Sequence, residues 1–296
     1  MRGTLGTRWY TPWAYLAPAV CVLGVFFVVA MVQVGYYSLT RYTPFSPSGP
    51  EFVGLENYRR LLSSDRFWWC LLNSFLYLLV TPAIIALSLW AAMVVEAGLR
   101  GTRRWLRVVL FLPVVTPTIV AAIAWQAALA EKGGAINSVL GMAGLPKPPW
   151  LSEWPWTLGS AMLVTLWKGF GFYMMIFLAA LLAVPRELKE AAYLDGAGRW
   201  GVFRHVVLPS IWPVVMLVFV ISSIGALKVF EELYVTVKGA AVEDQTVVPL
   251  LFDTAFERGD HGLASAIGIT LFLVILAFSL VNLRLSSRDA RAGRGA

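Results

Sequence analysis

Six long, continuously apolar stretches restrict what this chain can fold into more than any other feature. They cover residues 13–39, 67–95, 105–130, 156–184, 210–230 and 262–283. Each reaches or exceeds the ~20 residues with which an α-helix crosses ~30 Å of hydrocarbon. Backbone groups find no water inside a bilayer, so only helices and closed barrels can span it. Barrel strands alternate apolar and polar residues over ~10 positions, and these stretches do not alternate. A chain with 58% hydrophobic and 14% charged residues is not a soluble globular domain. The expected fold is all-α: a polytopic membrane protein with six transmembrane helices.

An even number of spans puts both termini on one side, and basic residues say which. The tail to residue 12 and segments 96–107, 185–209 and 284–296 hold fourteen Lys/Arg, whereas the alternate loops hold eight and carry twelve of the seventeen acids. Short loops rich in Lys and Arg stay in the cytoplasm, so both termini and segment 185–209 are expected there. The net charge of +7 is this asymmetry and does not indicate a nucleic-acid surface. The first stretch follows Arg2 and Arg8 but is about twice as long as a signal-peptide core, so it is expected to remain as a span. Cys21 and Cys70 fall in or beside apolar stretches and are expected to be small buried hydrophobes. No repeat or charged linker marks a boundary, so one membrane domain over residues 1–296 is expected. Trp150, Trp154 and Trp156 suit a headgroup-level loop.

Segment 185–209 is a polar island between two apolar stretches. Pro185 suits a helix start, and Glu187 then meets the positive end of the helix dipole. Leu188, Ala191 and Ala192 share one face, while Glu187, Glu190 and Tyr193 make a more polar one. Gly196 is placed to end the helix in a left-handed conformation. A second short helix is expected, with Trp200, Phe203 and Val207 on one face, Arg199 and Arg204 off it, and Pro209 as its stop. The physical reading is a helix-turn-helix bracket on the membrane surface, with or without a protein partner.

The order Glu190-Ala191-Ala192, three residues, Gly196, nine residues, then Val206-x-Leu208-Pro209 resembles the EAA loop of binding-protein-dependent ABC importer permeases, carbohydrate-uptake branch. Further matches run along residues 13–285. FVGLENY (52–58), LPVVTP (112–117), GAINSVL (134–140), WKGFGFYM (167–174) and KVFEELYVT (228–236) look like loops and spans of MalF/UgpA-type sugar permeases. Gly239 is followed by Ala240 and Ala241, a departure from the Gly-Gly-Pro that relatives often carry in that loop.

The resemblance implies a single permease domain: importer core 67–285, first span 13–39 and coupling loop 185–209, between helices 4 and 5. In such permeases the loop docks into a separate ATPase. Glu190, Ala191, Ala192, Asp195, Gly196, Leu208 and Pro209 would make that coupling element. Lys168, Gly169, Phe172, Ser222, Gly225, Ala226 and Val229 would line the substrate pathway. The implied partners are a second permease subunit, an ABC ATPase dimer, an extracytoplasmic sugar-binding protein and the lipid membrane of a bacterium or archaeon. No cofactor, metal or nucleic acid is expected on this chain; ATP and Mg belong to the ATPase. Consistently, no Gly-Lys pair occurs, so the residues contain no P-loop.

An ionisable residue inside a span is a functional candidate by default. Lys168 could pair with a carboxylate or helix carbonyls, or line a pathway. Lys228 is expected to pair with Glu231 or Glu232 at helical spacing. Gly169 and Gly171 beside Phe170, Phe172 and Tyr173 suit a loosened helix at a cavity wall, or close helix packing. A membrane-embedded transferase is the different-class alternative. It would need clustered acids or histidines at one face, and His205 and His261 fall on opposite sides. Asp253, Glu257 and Asp260 are spaced for one helix face, either solvated or cation-binding. A third alternative keeps the importer and makes the cargo glycerol phosphate or another polyol, with Lys168 as counter-ion.

Overall fold

A computed structural model describes residues 10–44, 49–237 and 244–292, apart from the side chains at 100, 283 and 285–292. Gly239, Ala240 and Ala241 lie outside the described residues, as do Arg2 and Arg8. The chain groups into two compact units, one up to Ser64 with Leu251–Phe272, the other Asp65–Leu250 with the chain from Leu273 onward.

Among the described residues, five helices are long and apolar enough to cross a membrane: α1 (Thr11–Ser38), α3 (Asp65–Ala97), α7 (Trp156–Ala183), α9 (Arg199–Leu227) and the described last helix α12 (His261–Ala292), over its His261–Asn282 part. The third apolar stretch is not one straight helix. It forms α4 (Arg100–Val115) and α5 (Thr118–Leu129), which meet at 94°, so the count becomes six if the bent pair is one span. Thr116 precedes Pro117, whose ring excludes the helical region for its neighbour, and both residues are extended, at ψ 129° and 134°.

In the first unit, α1 buries none of its spanning window within this chain. The Cys21 on it is exposed, contrary to the expected burial, whereas Cys70 is buried. A small hairpin follows, with β1 (Thr40–Arg41) antiparallel to β2 (Glu51–Phe52), a minor exception to the all-α reading. The FVGLENY motif then enters α2 (Glu56–Leu62). Its buried Asn57 Nδ2 donates to the carbonyls of Ser38 and Thr40 at 2.9 and 2.8 Å. Tyr58 Oη donates to Ser38 Oγ at 2.8 Å. A Cβ at Gly262 would run into the Thr40 carbonyl oxygen, so the start of α12 can approach the hairpin only with glycine there. The expected acidic face does not form. Asp253 pairs with Arg258 at 3.1 Å, while Asp260 pairs with Arg60 at 3.1 Å and accepts from the Leu263 N–H. The helical turn ends at Glu257, so Asp260 caps the next helix instead.

In the second unit, the main core is shared by α3 (Ala91, Ala92, Val95), α7 (Met174, Phe177, Leu178, Leu181) and α9 (Val202, Val207, Ile211, Val215, Val218). Small residues bring these helices close, as membrane packing requires, and Ser88 Oγ donates to the Phe170 carbonyl at 2.9 Å. Gly171 belongs to this packing, because a Cβ there would strike the Leu110 carbonyl of α4. The helix is continuous through Gly169 and Gly171 and is not loosened. Of the loop tryptophans, Trp150 Nε1 donates to Asn137 Oδ1 at 2.9 Å and Trp154 Nε1 to Asn73 Oδ1 at 3.3 Å. The first bond fixes the loop locally and the second ties it to α3, a structural role that the composition did not signal.

Candidate functional site

The polar island folds as α8 (Arg186–Leu194) followed by a tight turn and the start of α9. Gly196 has φ +84°, its N–H donates to the Tyr193 carbonyl, and Ala197 N–H donates to the Ala192 carbonyl. This double bond pattern closes a helix with a left-handed residue. Pro209, however, stops nothing. The segment Phe203–Val207 is a widened π turn that runs directly into the span, with Pro209 near the start of the following α-helical part. Widening the turn removes the clash between the proline ring and the preceding carbonyls. The second arm of the bracket is therefore the first part of α9.

Among the coupling candidates, Glu190, Ala191, Asp195, Gly196 and Pro209 are exposed. Ala192 and Leu208 are half-buried against the core of α3, α7 and α9. Leu188, Tyr193, Leu194 and Trp200 are also exposed, with Leu194 at 89%. Lys189 Nζ is 2.8 Å from Glu96 Oε1, which ties α8 to the last turn of α3. No sequence pattern signals this bond, because 93 residues separate its members.

All seven pathway candidates line one cavity of about 470 Å³, within the range of small-molecule sites. Lys168, Gly169 and Phe172 come from α7, and Ser222, Gly225 and Ala226 from the end of α9, with Val229 just beyond it. Phe172 is 46% exposed, whereas Ser222, Ala226 and Val229 are buried wall. A Cβ at Gly225 would meet nothing, so this backbone faces open space. Ser222 Oγ donates to the Val218 carbonyl at 2.7 Å, so its proton is already engaged within its own helix.

Further polar residues line the cavity, among them Thr165, Tyr173, Lys228, Glu231 and Glu232. Thr165 Oγ1 lies 2.7 Å from Tyr77 Oη. The two glutamates open α10 (Glu231–Thr236). Burial raises the Glu232 carboxyl above its ordinary pKa; a backbone hydrogen bond and the Lys168 ammonium offset part of this, and Glu231 adds to it. The expected pairing of Lys228 with Glu231 or Glu232 does not form. The helix ends at Leu227, and Phe230 at φ −137° breaks the spacing that would bring them together. The signal for the acids lies in KVFEELYVT itself, which resembles a pathway-lining segment of such permeases.

A second cavity of about 500 Å³ lies among the ends of α3 and α7, α8 and the start of α9; its lining includes Arg103, Arg186, Lys189 and Arg199.

Comparison with known proteins places this architecture. The chain is 31% identical over 270 residues to the trehalose/maltose transport system permease protein MalF of Thermococcus litoralis, covering 91% of each. It is 34% identical over 279 residues to the arabinooligosaccharides transport system permease protein AraP of Bacillus subtilis, covering 93% of this chain and 88% of that one. Its fold matches a chain of a bacterial ABC transporter involved in the import of the acidic polysaccharide alginate, with a TM-score of 0.82 and 21% identity over 94% of this chain and 96% of the other. Residues 84–289, which carry the polar island, the α3–α7–α9 core and the α7–α9 cavity, match the profile named binding-protein-dependent transport system inner membrane component, and the chain belongs to that family.

Proposed function

We propose that this chain is the permease subunit of an ATP-driven sugar importer, forming half of a translocation pathway and coupling it to separate ATPase subunits. The observation that carries the reading is the convergence of Lys168, Gly169, Phe172, Ser222, Gly225, Ala226 and Val229 on one cavity between two spans. Aromatic faces at Phe172 and Tyr173 suit the apolar faces of a pyranose, and the polar groups beside them suit its hydroxyls. The names of the relatives support a saccharide as cargo.

A polyol phosphate is the competing cargo. Lys168 and Lys228 share the cavity with Glu231 and Glu232, two charges of each sign. A balanced lining offers an anion no net attraction, which favours a neutral sugar.

The bracket of α8 and the start of α9 is the coupling element. Exposed Glu190 offers a charge-assisted contact to a basic residue of the ATPase, Ala191 and Ala192 permit close approach, and Asp195, Gly196, Leu208 and Pro209 set the bend and its junction with the span. ATP binding and Mg belong to the partner subunits. A change in the ATPase dimer would move the bracket as a rigid body, switching the pathway between inward- and outward-facing states. The chain would sit as one multi-pass domain in the cytoplasmic membrane of a bacterium or archaeon, both termini inside, beside a second permease and below an extracytoplasmic binding protein.

The test is affinity purification of the tagged chain from its native membrane with identification of the subunits that accompany it. A second permease and a P-loop ATPase, with sugar-stimulated ATP hydrolysis once the binding protein is added, are expected. Recovery of this chain alone or as a homodimer under mild detergent overturns the reading.

A further inference from the structure

The cavity beside α8 does not belong to the substrate pathway, and its chemistry points elsewhere. Its lining carries four basic side chains, Arg103, Arg186, Lys189 and Arg199, against a single acid, Glu96. That acid is already bonded to Lys189 at 2.8 Å. Arg103 Nε donates to the Gly98 carbonyl at 2.6 Å, which fixes the start of its guanidinium at the cavity wall. Among the described residues, Arg103, Arg186 and Arg199 form no ion pair. Three guanidinium groups thus converge on one space without a counter-charge.

The rest of the wall is apolar, with Met93 from α3, Leu181 and Leu182 from α7, and Phe203 from α9. Leu182 is exposed at the end of its span, and Trp105, two residues beyond Arg103, is also exposed. A basic mouth over an apolar wall at the ends of spans fits an anion that carries hydrocarbon. Guanidinium forks match phosphate oxygens in pairs, and basic pockets between spans on the cytoplasmic side bind anionic headgroups.

We propose that this cavity binds a phosphate group, carried by an anionic phospholipid headgroup or free in solution. The side on which it lies rests on the orientation proposed above; the binding itself does not. An occupant here bridges α8 to the ends of α3 and α7. If α8 is the coupling element, the lipid around the importer sets how firmly that element is held.

The experiment uses the full chain with whatever subunits accompany it, in nanodiscs of phosphatidylcholine with or without phosphatidylglycerol. Native mass spectrometry counts the phosphatidylglycerol retained. The variants are R103Q/R186Q and R186Q/R199Q in the cavity, with R104Q/R204Q as basic-residue controls outside it. The second cavity pair leaves the Arg103 bond to Gly98 intact, and thermal unfolding checks the fold of each. Removing two arginines should weaken retention about thirty-fold, with the control pair unchanged. If inorganic phosphate alone displaces the lipid from wild type, and neither binds the cavity variants, free phosphate is the ligand and the phosphate site stands. Equal retention by cavity and control variants, with no displacement by phosphate, overturns the proposal. A failed importer reading would show separately, in which subunits co-purify.

Discussion

Lys189 Nζ and Glu96 Oε1 lie 2.8 Å apart and join a short surface helix to the last turn of a long span. Their side chains keep 21% and 27% of their exposure, so water screens the pair only in part. Removing either charge should cost about 1–2 kcal/mol, between the values for exposed and buried pairs. The outcome expected for Lys189→Met or Glu96→Gln is a lower unfolding midpoint and poorer ATPase retention. The exchanged pair Glu96→Lys with Lys189→Glu should recover much of both, and a double-mutant cycle measures the coupling.

Glu190→Ala should leave the chain folded and inserted, since this side chain is exposed. Loss of a charge-assisted contact should weaken ATPase docking by roughly 1.5–3 kcal/mol. Wild-type docking in a direct binding assay would remove Glu190 from the interface. Gly196→Val should be worse, because φ +84° is strained for a β-branched residue, and its effect should appear in unfolding as well as docking.

Two glycines near the α7–α9 cavity should respond in opposite ways. Gly171→Ala drives a methyl group into the Leu110 carbonyl, and overpacking of that kind costs about 1–3 kcal/mol. Gly225→Ala meets nothing within 4 Å. The unfolding midpoint in detergent should therefore fall for the first and hold for the second, while substrate-stimulated ATP hydrolysis by the second reports on the space lost from the cavity.

Glu232 gives a pH signature. Its folded-state pKa is raised, chiefly by burial, so the folded chain binds a proton that the unfolded chain has released. Wild type should lose stability relative to Glu232→Gln as pH climbs from the ordinary carboxylate value through the raised one. Outside that window the difference should be flat. Midpoints of both proteins across acid to neutral pH check it, and a difference that grows toward acid would contradict the assignment.

Hydropathy made the long helices legible because a span must be apolar over its whole length. It could not reveal the corner at Thr116 and Pro117, since the apolar run continues from the second half of α4 into α5 and only a dihedral change separates them. Pro209 misled for the opposite reason. Its usual effect is to break a helix, and the widened turn before it accommodates the ring. The cavity was legible on α7 and α9 through motif resemblance, but the helix break after Leu227 was not. That break turns Glu231 and Glu232 from assumed partners of Lys228 into parts of the wall. The Lys189 bond and the basic cavity were hidden because their members lie far apart in sequence.

Asn57 also says something about assembly in time. Its amide holds the Ser38 and Thr40 carbonyls, and Gly262 and Asp260 complete the same corner about two hundred residues later. Chains emerge from the ribosome amino terminus first, so the hairpin is made early and waits, unfinished, while nearly every other helix is synthesised. Its closure therefore cannot precede synthesis of the start of α12, so the first loop of the chain is completed by the last helix to be made.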